Sequence, residues 1–143
     1  MCGIIAVIRR RTQREAPGSA HLLHGLATAT ALIPTAADID AEALAAAGAK
    51  LVEVDLLLRG EAGLNAMLVD PALVPGIEAR LVEINAALRG IEKHLDLEGD
   101  RVADLEAVNA ALIRAKDGAW SIERDRLRTA REVAALVGKN PSS

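Results

Sequence analysis

Aromatic side chains are almost missing from this chain. Of 143 residues none is Phe, none is Tyr, and Trp120 is the single Trp. Strand-rich domains draw on aromatic and β-branched residues. A body this poor in rings points instead to helices packed closely through Leu, Ala, Ile and Val. Cysteine is equally scarce. Cys2 stands alone, which excludes an internal disulfide and any cysteine-based metal cluster. Neither charge sign dominates: 17 Lys and Arg face 20 Asp and Glu, for a net charge of −3. Bulk electrostatics therefore give no case for a nucleic-acid partner. Long apolar runs are lacking too. The least polar stretch, residues 21–33, is too short for a membrane span and is broken by His24 and Gly25. The basic run Arg9-Arg10-Arg11 follows an apolar stretch instead of preceding it, the wrong order for a secretory signal. Gly3 is one position too late for myristoylation. These absences describe a cytoplasmic protein without a membrane partner.

What remains is 51% hydrophobic, enough in a chain of this length for one domain with a buried core. Residues 3–8 form a short β-branched apolar run that reads as one buried strand. Residues 9–18 read as a polar loop. Its arginines (Arg9, Arg10, Arg11 and Arg14) are a solvated run, with no aromatic interleaved to stack a base. Ser19 is placed to cap a first helix that ends at Pro34, with Leu22, Leu26, Ala29 and Ile33 on one face. Asp38 is placed to cap a second helix through Leu44, Ala47, Leu51, Val54 and Leu58. Gly60 and Gly63 break the pattern, and a short helical turn covers residues 64–69. Pro71 suits a first helical position and opens a third helix to about residue 97. Its seam is Val74, Ile77, Leu81, Ile84, Leu88, Ile91 and Leu95, a heptad pattern. A break near Gly99 precedes a fourth helix, which runs to about Val137 with Gly138 as its C-cap. Its seam begins Leu105, Val108, Leu112, Ala115, Ala119 and Ile122, and ends Val133 and Leu136. Arg126 and Thr129 interrupt the apolar order there, so the seam shifts toward Leu127 and Ala130.

The expected fold class is therefore mainly α: one short N-terminal strand, then an antiparallel helical hairpin or coiled bundle of three to four helices. The two long helices, joined by a short break, should fold back on each other as an arm of about 40–50 Å. The second helix lies along them. The chain divides into residues 1–18, strand and loop; 19–138, helical arm; and 139–143, a loop from which a longer chain would continue.

The strand carries the chemistry. Removal of Met1 would leave Cys2 with a thiol and a free α-amine on one carbon. An α-amine titrates near ~8, so one residue supplies nucleophile and base. The sequence Cys2-Gly3-Ile4-Ile5, with the small Ala6 before Val7, resembles the start of the class II, N-terminal-nucleophile glutamine amidotransferases, above all the glutaminase end of the glucosamine-6-phosphate synthase (glutamine–fructose-6-phosphate aminotransferase) type. The resemblance covers about eight residues, pinned to the extreme N-terminus. It implies an Ntn-type α/β domain in which the helices are an insertion, and Cys2 as the catalytic nucleophile. The implied chemistry is a glutamyl-thioester that releases ammonia. The implied partners are glutamine, the remainder of the glutaminase domain, and a sugar-isomerase domain that passes the ammonia to fructose 6-phosphate. No cofactor or metal is implied.

The family's other catalytic parts do not occur. No His-x-Arg-Trp stretch precedes Trp120, which follows Ala119. No Asn-Gly pair exists for an oxyanion hole, since Asn65, Asn85 and Asn109 precede Ala and Asn140 precedes Pro. Gly99-Asp100 matches the family's Gly-Asp pair in letters but reads better as a turn and N-cap. An oxyanion hole contributes several kcal/mol to barrier lowering, so these residues alone should be nearly inert. Other candidates have plainer readings. His21 and His24, and the distant His94, are surface histidines without converging carboxylates, Glu15 and Asp38 being the only nearby ones. Glu78, Glu83 and Glu92 read as solvated. Arg124, Arg126, Arg128 and Arg131 read as solvation and helix-dipole compensation. The alternative to an enzyme is a coiled-coil interaction module whose seam binds a partner or its own copy.

Overall fold

The computed structural model describes residues 16–139. Its helices are α1 (Ser19–Leu32), α2 (Ala41–Leu57), α3 (Gly60–Val69), α4 (Leu73–Glu98) and α5 (Leu105–Ser121). α5 runs without a break through a π-turn (Ile122–Leu127) into α6 (Arg128–Lys139). The described residues contain no strand. The expected strand at 3–8, with Cys2 before it, lies outside them.

The helix starts differ from expectation, and each difference has a local cause. Ser19 is not a cap: Gly18 occupies that position, and Ser19 Oγ donates to Asp70 Oδ2 at 2.6 Å, tying the start of α1 to the approach of α4. Asp38 sits in a 3₁₀ turn, and Asp40 caps α2, its Oδ1 accepting from the Glu42 amide at 3.1 Å. That bond satisfies one of the N–H groups a helix start leaves open. Pro71 precedes α4 instead of opening it, while Asp70 Oδ1 accepts from the Ala72 amide at 3.1 Å. The seam accordingly begins at the buried Leu73, with Val74 partly covered. Asp100 belongs to a 3₁₀ turn (Gly99–Arg101), and the residue before α5 is Asp104, held at φ 53.

Gly60 and Gly63 do not end helical structure; they permit α3 to begin early. Gly60 has φ 76, a left-handed conformation that favours glycine. A Cβ on Gly63 would fall 2.0 Å from the Leu58 carbonyl oxygen, so α3 can fold back against the end of α2 only without a side chain there.

The order around the bundle follows from the contacts. α1 packs on α2, α2 on α5, α5 on α4 and α4 on α1, while the diagonal pairs hardly touch. Gly25 lies against Val54, so α1 and α2 are antiparallel. Gly48 lies against Ala115, Gly118 against Leu51, and Asp55 pairs with Arg126, so α2 and α5 run parallel. Lys116 reaches Glu92 and Arg131 reaches Glu78, so α4 and α5–α6 are antiparallel. Gly76 lies against Leu23, so α1 and α4 are parallel. The fold is a four-helix bundle in which α3 makes the diagonal crossing from α2 to α4 beneath one end. We call that end the base; α1 enters there and α6 leaves there.

The expected antiparallel hairpin of the two long helices is present, and α4, with 26 residues, is about 39 Å long. It is not the tightest pair, however. That place belongs to α2 and α5, where Gly48, Ala115 and Gly118 stand in for larger side chains and the backbones approach closely. Between α4 and α5 the facing residues are longer, and an open groove remains. The core itself is aliphatic throughout: Leu22, Leu26, Leu44, Leu51, Ile77, Ile84, Leu88 and Ile91 are essentially inaccessible.

Two glycine substitutions separate backbone need from helix propensity. Gly63→Ala should lower the thermal midpoint by an amount equivalent to roughly 1–3 kcal/mol, the usual range for overpacking. Gly90→Ala, inside α4 with nothing within 4 Å of the new methyl, should raise it by about 0.5–1 kcal/mol. Thermal unfolding followed by circular dichroism reads both; a neutral Gly63→Ala would contradict the assigned turn.

Candidate functional site

The one buried charged residue of the described core is Asp55, on α2. Its partner arrives through an irregularity in the last helix. Ile122 and Leu127 are both fully buried and lie five positions apart, one more than an α-turn can align. The π-turn absorbs the extra residue. It moves the seam from Ile122 to Leu127 and then Ala130, the shift the sequence pattern suggested, and it turns Arg126 toward α2. Arg126 Nε donates to Asp55 Oδ1 at 2.9 Å, with the two side chains 17% and 10% exposed. A carboxylate taken out of water is strongly disfavoured unless it is paired, so the turn and the ion pair require each other.

Beside the pair is a recess of about 240 Å³ lined by Leu58, Gly60, Leu64, Met67, Asp125, Arg126 and Thr129. Its walls are mainly the aliphatic side chains of α2 and α3. Its polar rim is internally engaged: Thr129 Oγ1 donates to the Asp125 carbonyl oxygen at 2.6 Å. The recess contains no thiol and no histidine, and its single arginine is held by Asp55. It can receive a small apolar group, with the Asp125 carboxylate and the paired Arg126 as the ionisable groups on its rim.

The residues singled out by sequence scatter over the bundle. Cys2 lies outside the described residues. His21 and His24 are exposed on α1, and His94 Nε2 stands 3.8 Å from Glu98 Oε2. No group of His, Cys, Asp and Glu among the described residues could hold a metal ion. Glu92 accepts from Lys116 at 2.9 Å and Glu83 from Arg80 at 3.3 Å. The arginine run is not simply a solvated end, because the helix continues past it and each member has its own contact. Arg124 lies over the Trp120 ring at 5.7 Å, and Arg126 turns inward to Asp55. Arg128 reaches Glu132 at 3.1 Å, and Arg131 reaches Glu78. The Asp55–Arg126 pair is what sequence reasoning missed. The available signal was Arg126 at an apolar position of one helix and Asp55 beside Val54 in another.

Two further depressions are shallower in chemistry. The groove between α4 and α5, about 410 Å³, runs between Val82, Asn85, Arg89 and Lys116 and is open to solvent. A polar recess of about 290 Å³ at the far end involves Asp38, His94 and Arg101. No buried side-chain nitrogen or oxygen among the described residues lacks a hydrogen-bond partner, so none is aimed at an absent ligand. No helix among the described residues is long and apolar enough to cross a membrane.

No family model, curated protein or solved structure matches the chain.

Removing one member of the buried pair should be far more harmful than removing both. Arg126→Met leaves the Asp55 carboxylate buried alone and should destabilise the bundle by about 3–5 kcal/mol. Adding Asp55→Leu to that variant should restore most of the loss. Urea unfolding of the two variants measures this; equal stability of single and double variants would show that the pair is not coupled.

Proposed function

We propose that this chain carries the amino-terminal nucleophile of a class II glutamine amidotransferase of the glucosamine-6-phosphate synthase type, followed by a helical module inserted into the glutaminase domain. Cys2, once Met1 is removed, attacks the side-chain amide carbon of glutamine. The carbon–nitrogen bond breaks, ammonia leaves with the proton taken from the thiol, and water hydrolyses the thioester to glutamate. The ammonia is then passed to a sugar phosphate of the fructose 6-phosphate kind by a partner domain. The residues that clamp glutamine and stabilise the oxyanion belong to the remainder of the glutaminase domain, so the 143 residues alone are inactive.

The observation that best supports the insertion is the even-numbered bundle whose entry and exit share the base. A module of this kind can be placed within a surface loop while leaving the surrounding domain continuous. The Cys2-Gly3-Ile4-Ile5 opening supplies the chemistry. The bundle supplies none, and its aliphatic core, free of rings, is that of a spacer or docking arm.

A second reading, a non-enzymatic helical interaction module, is favoured by one feature. Val82 lines the groove between α4 and α5, and it, Ile113 and Trp120 are 60–66% exposed on those two helices. The readings differ at Cys2. In the natural protein treated with a diazo-ketone analogue of glutamine, mass spectrometry should find Met1 absent and a covalent adduct on Cys2. An intact Met1 with no adduct would reject the amidotransferase. The 143-residue chain alone should release no ammonia from glutamine, and steady release abolished by Cys2→Ala would show that its machinery is complete.

A further inference from the structure

The hollows of the bundle differ in what lines them. The groove between α4 and α5 is bordered by charges that already pair, Lys116 with Glu92. The far-end recess is formed by the 3₁₀ turns Ala36–Asp38 and Gly99–Arg101. The recess beside Asp55 and Arg126 is of another kind. Leu58 and Met67, 1% and 4% exposed, and the partly buried Leu64 give it an apolar wall. Arg126 gives it polar hydrogens. Only Nε is spent on Asp55, and no other hydrogen bond joins this guanidinium to the described residues. No buried side-chain nitrogen of the described residues lacks a partner. The terminal nitrogens therefore reach open space, and the space that Arg126 lines is the recess. Packing accounts for the π-turn, but it leaves this hollow unfilled.

We infer that this recess is a binding site for a small neutral aromatic molecule with one carbonyl oxygen, an aromatic ketone or amide. Size sets the first limit. The volume of about 240 Å³ exceeds the ~150 Å³ of an engineered aliphatic cavity that holds benzene. The surplus is room for a short substituent. The wall suits a ring. Its faces pack on Leu58 and Leu64, and the thioether of Met67 attracts a ring edge. The chain has no Phe or Tyr to fill the hollow, and its Trp120 is 60% exposed. The N–H groups on the terminal nitrogens of Arg126 donate to the carbonyl oxygen, a bond strengthened by the donor's charge. Charge then selects a neutral ligand. Asp55 already balances Arg126, and Asp125 places a further carboxylate at the rim. A ligand carboxylate would meet that excess negative charge; a carbonyl does not. Gly60, also at the rim, has no side chain to obstruct entry. This site gives the helical module a ligand of its own and is independent of any reaction at Cys2.

The probe is acetophenone, titrated into the full 143-residue chain and followed by NMR. The Met67 methyl and the Arg126 side-chain N–H signals should shift together and saturate at millimolar concentration or below, while the Trp120 indole N–H stays in place. Benzoate, similar in shape but charged, should bind roughly three- to tenfold more weakly, and Asp125→Asn should narrow that gap. Thr129→Trp, a change at an exposed lining position, closes the mouth and should abolish the shifts. The double variant Asp55→Leu with Arg126→Met removes the donors and leaves no charge buried alone. It should lose roughly three- to tenfold in affinity for acetophenone and bind ethylbenzene, which has no acceptor, as the unaltered chain does. No saturable shift in the unaltered chain, or an equal shift at Trp120, would overturn the site. Unchanged binding in Thr129→Trp would place the ligand elsewhere and overturn it too. Benzoate binding as tightly as acetophenone would overturn the neutral class of ligand.

Discussion

The close approach of α2 and α5 is the constraint on which the rest of this structure depends. A core without Phe or Tyr cannot fill wide gaps, so the helices must come together. They do so where Gly48 meets Ala115 and Gly118 meets Leu51. Once that pair is fixed in parallel, α1 covers the free side of α2 and α4 covers the free side of α5. The short α3 then has no route to α4 except across the base. The turn at Gly60 and the bare Cα of Gly63 make that route possible. Small residues in the two principal helices and in the crossing thus produce one topology.

The same approach creates a demand at its lower end. Close packing of α2 on the last helix carries Asp55 into the interior, and a carboxylate there requires a cation. A regular α-helix would keep Leu127 and Arg126 out of step with Ile122. The π-turn adds the residue that corrects both, returning the apolar seam to the core and delivering the guanidinium to Asp55. The irregularity therefore has a structural explanation that needs no ligand. π-turns often occur at functional sites, but this one is accounted for by the packing it repairs.

Much of this was legible in the sequence. The poverty of aromatics pointed to helices, and the three–four spacing from Ile77 to Ile91 located the inner face of α4 residue by residue. Arg126 and Thr129, at positions where apolar residues belong, marked the place where the seam moves to Leu127 and Ala130. Other features were hidden for physical reasons. Helix starts were displaced because several polar residues competed for each cap, and Asp40 rather than Asp38 had the free geometry. Which helices pack tightest was hidden because Gly48 and Gly118 look like weak points in a one-dimensional pattern; their value appears only when a partner backbone lies against them. Leu136 looked like part of a seam and is 63% exposed, because the last helix continues beyond the layer that α2 provides. The catalytic reading was legible only as a resemblance at Cys2. It rests on residues outside the bundle, and the bundle bears on it through topology alone.

The central claim is topological: the helical module begins and ends at one end of the bundle, the arrangement that insertion into a surface loop requires. Spin labels on cysteines at Gly18 and Val137, with Cys2 replaced by Ser, report on this directly by pulsed electron resonance. Gly18 has open space for the new side chain, and Val137 is exposed. A distance near the width of the bundle is expected, about 15–20 Å between helices at opposite corners of a bundle with usual 8–10 Å spacing. A distance near the length of α4, about 39 Å, would put entry and exit at opposite ends and contradict the claim.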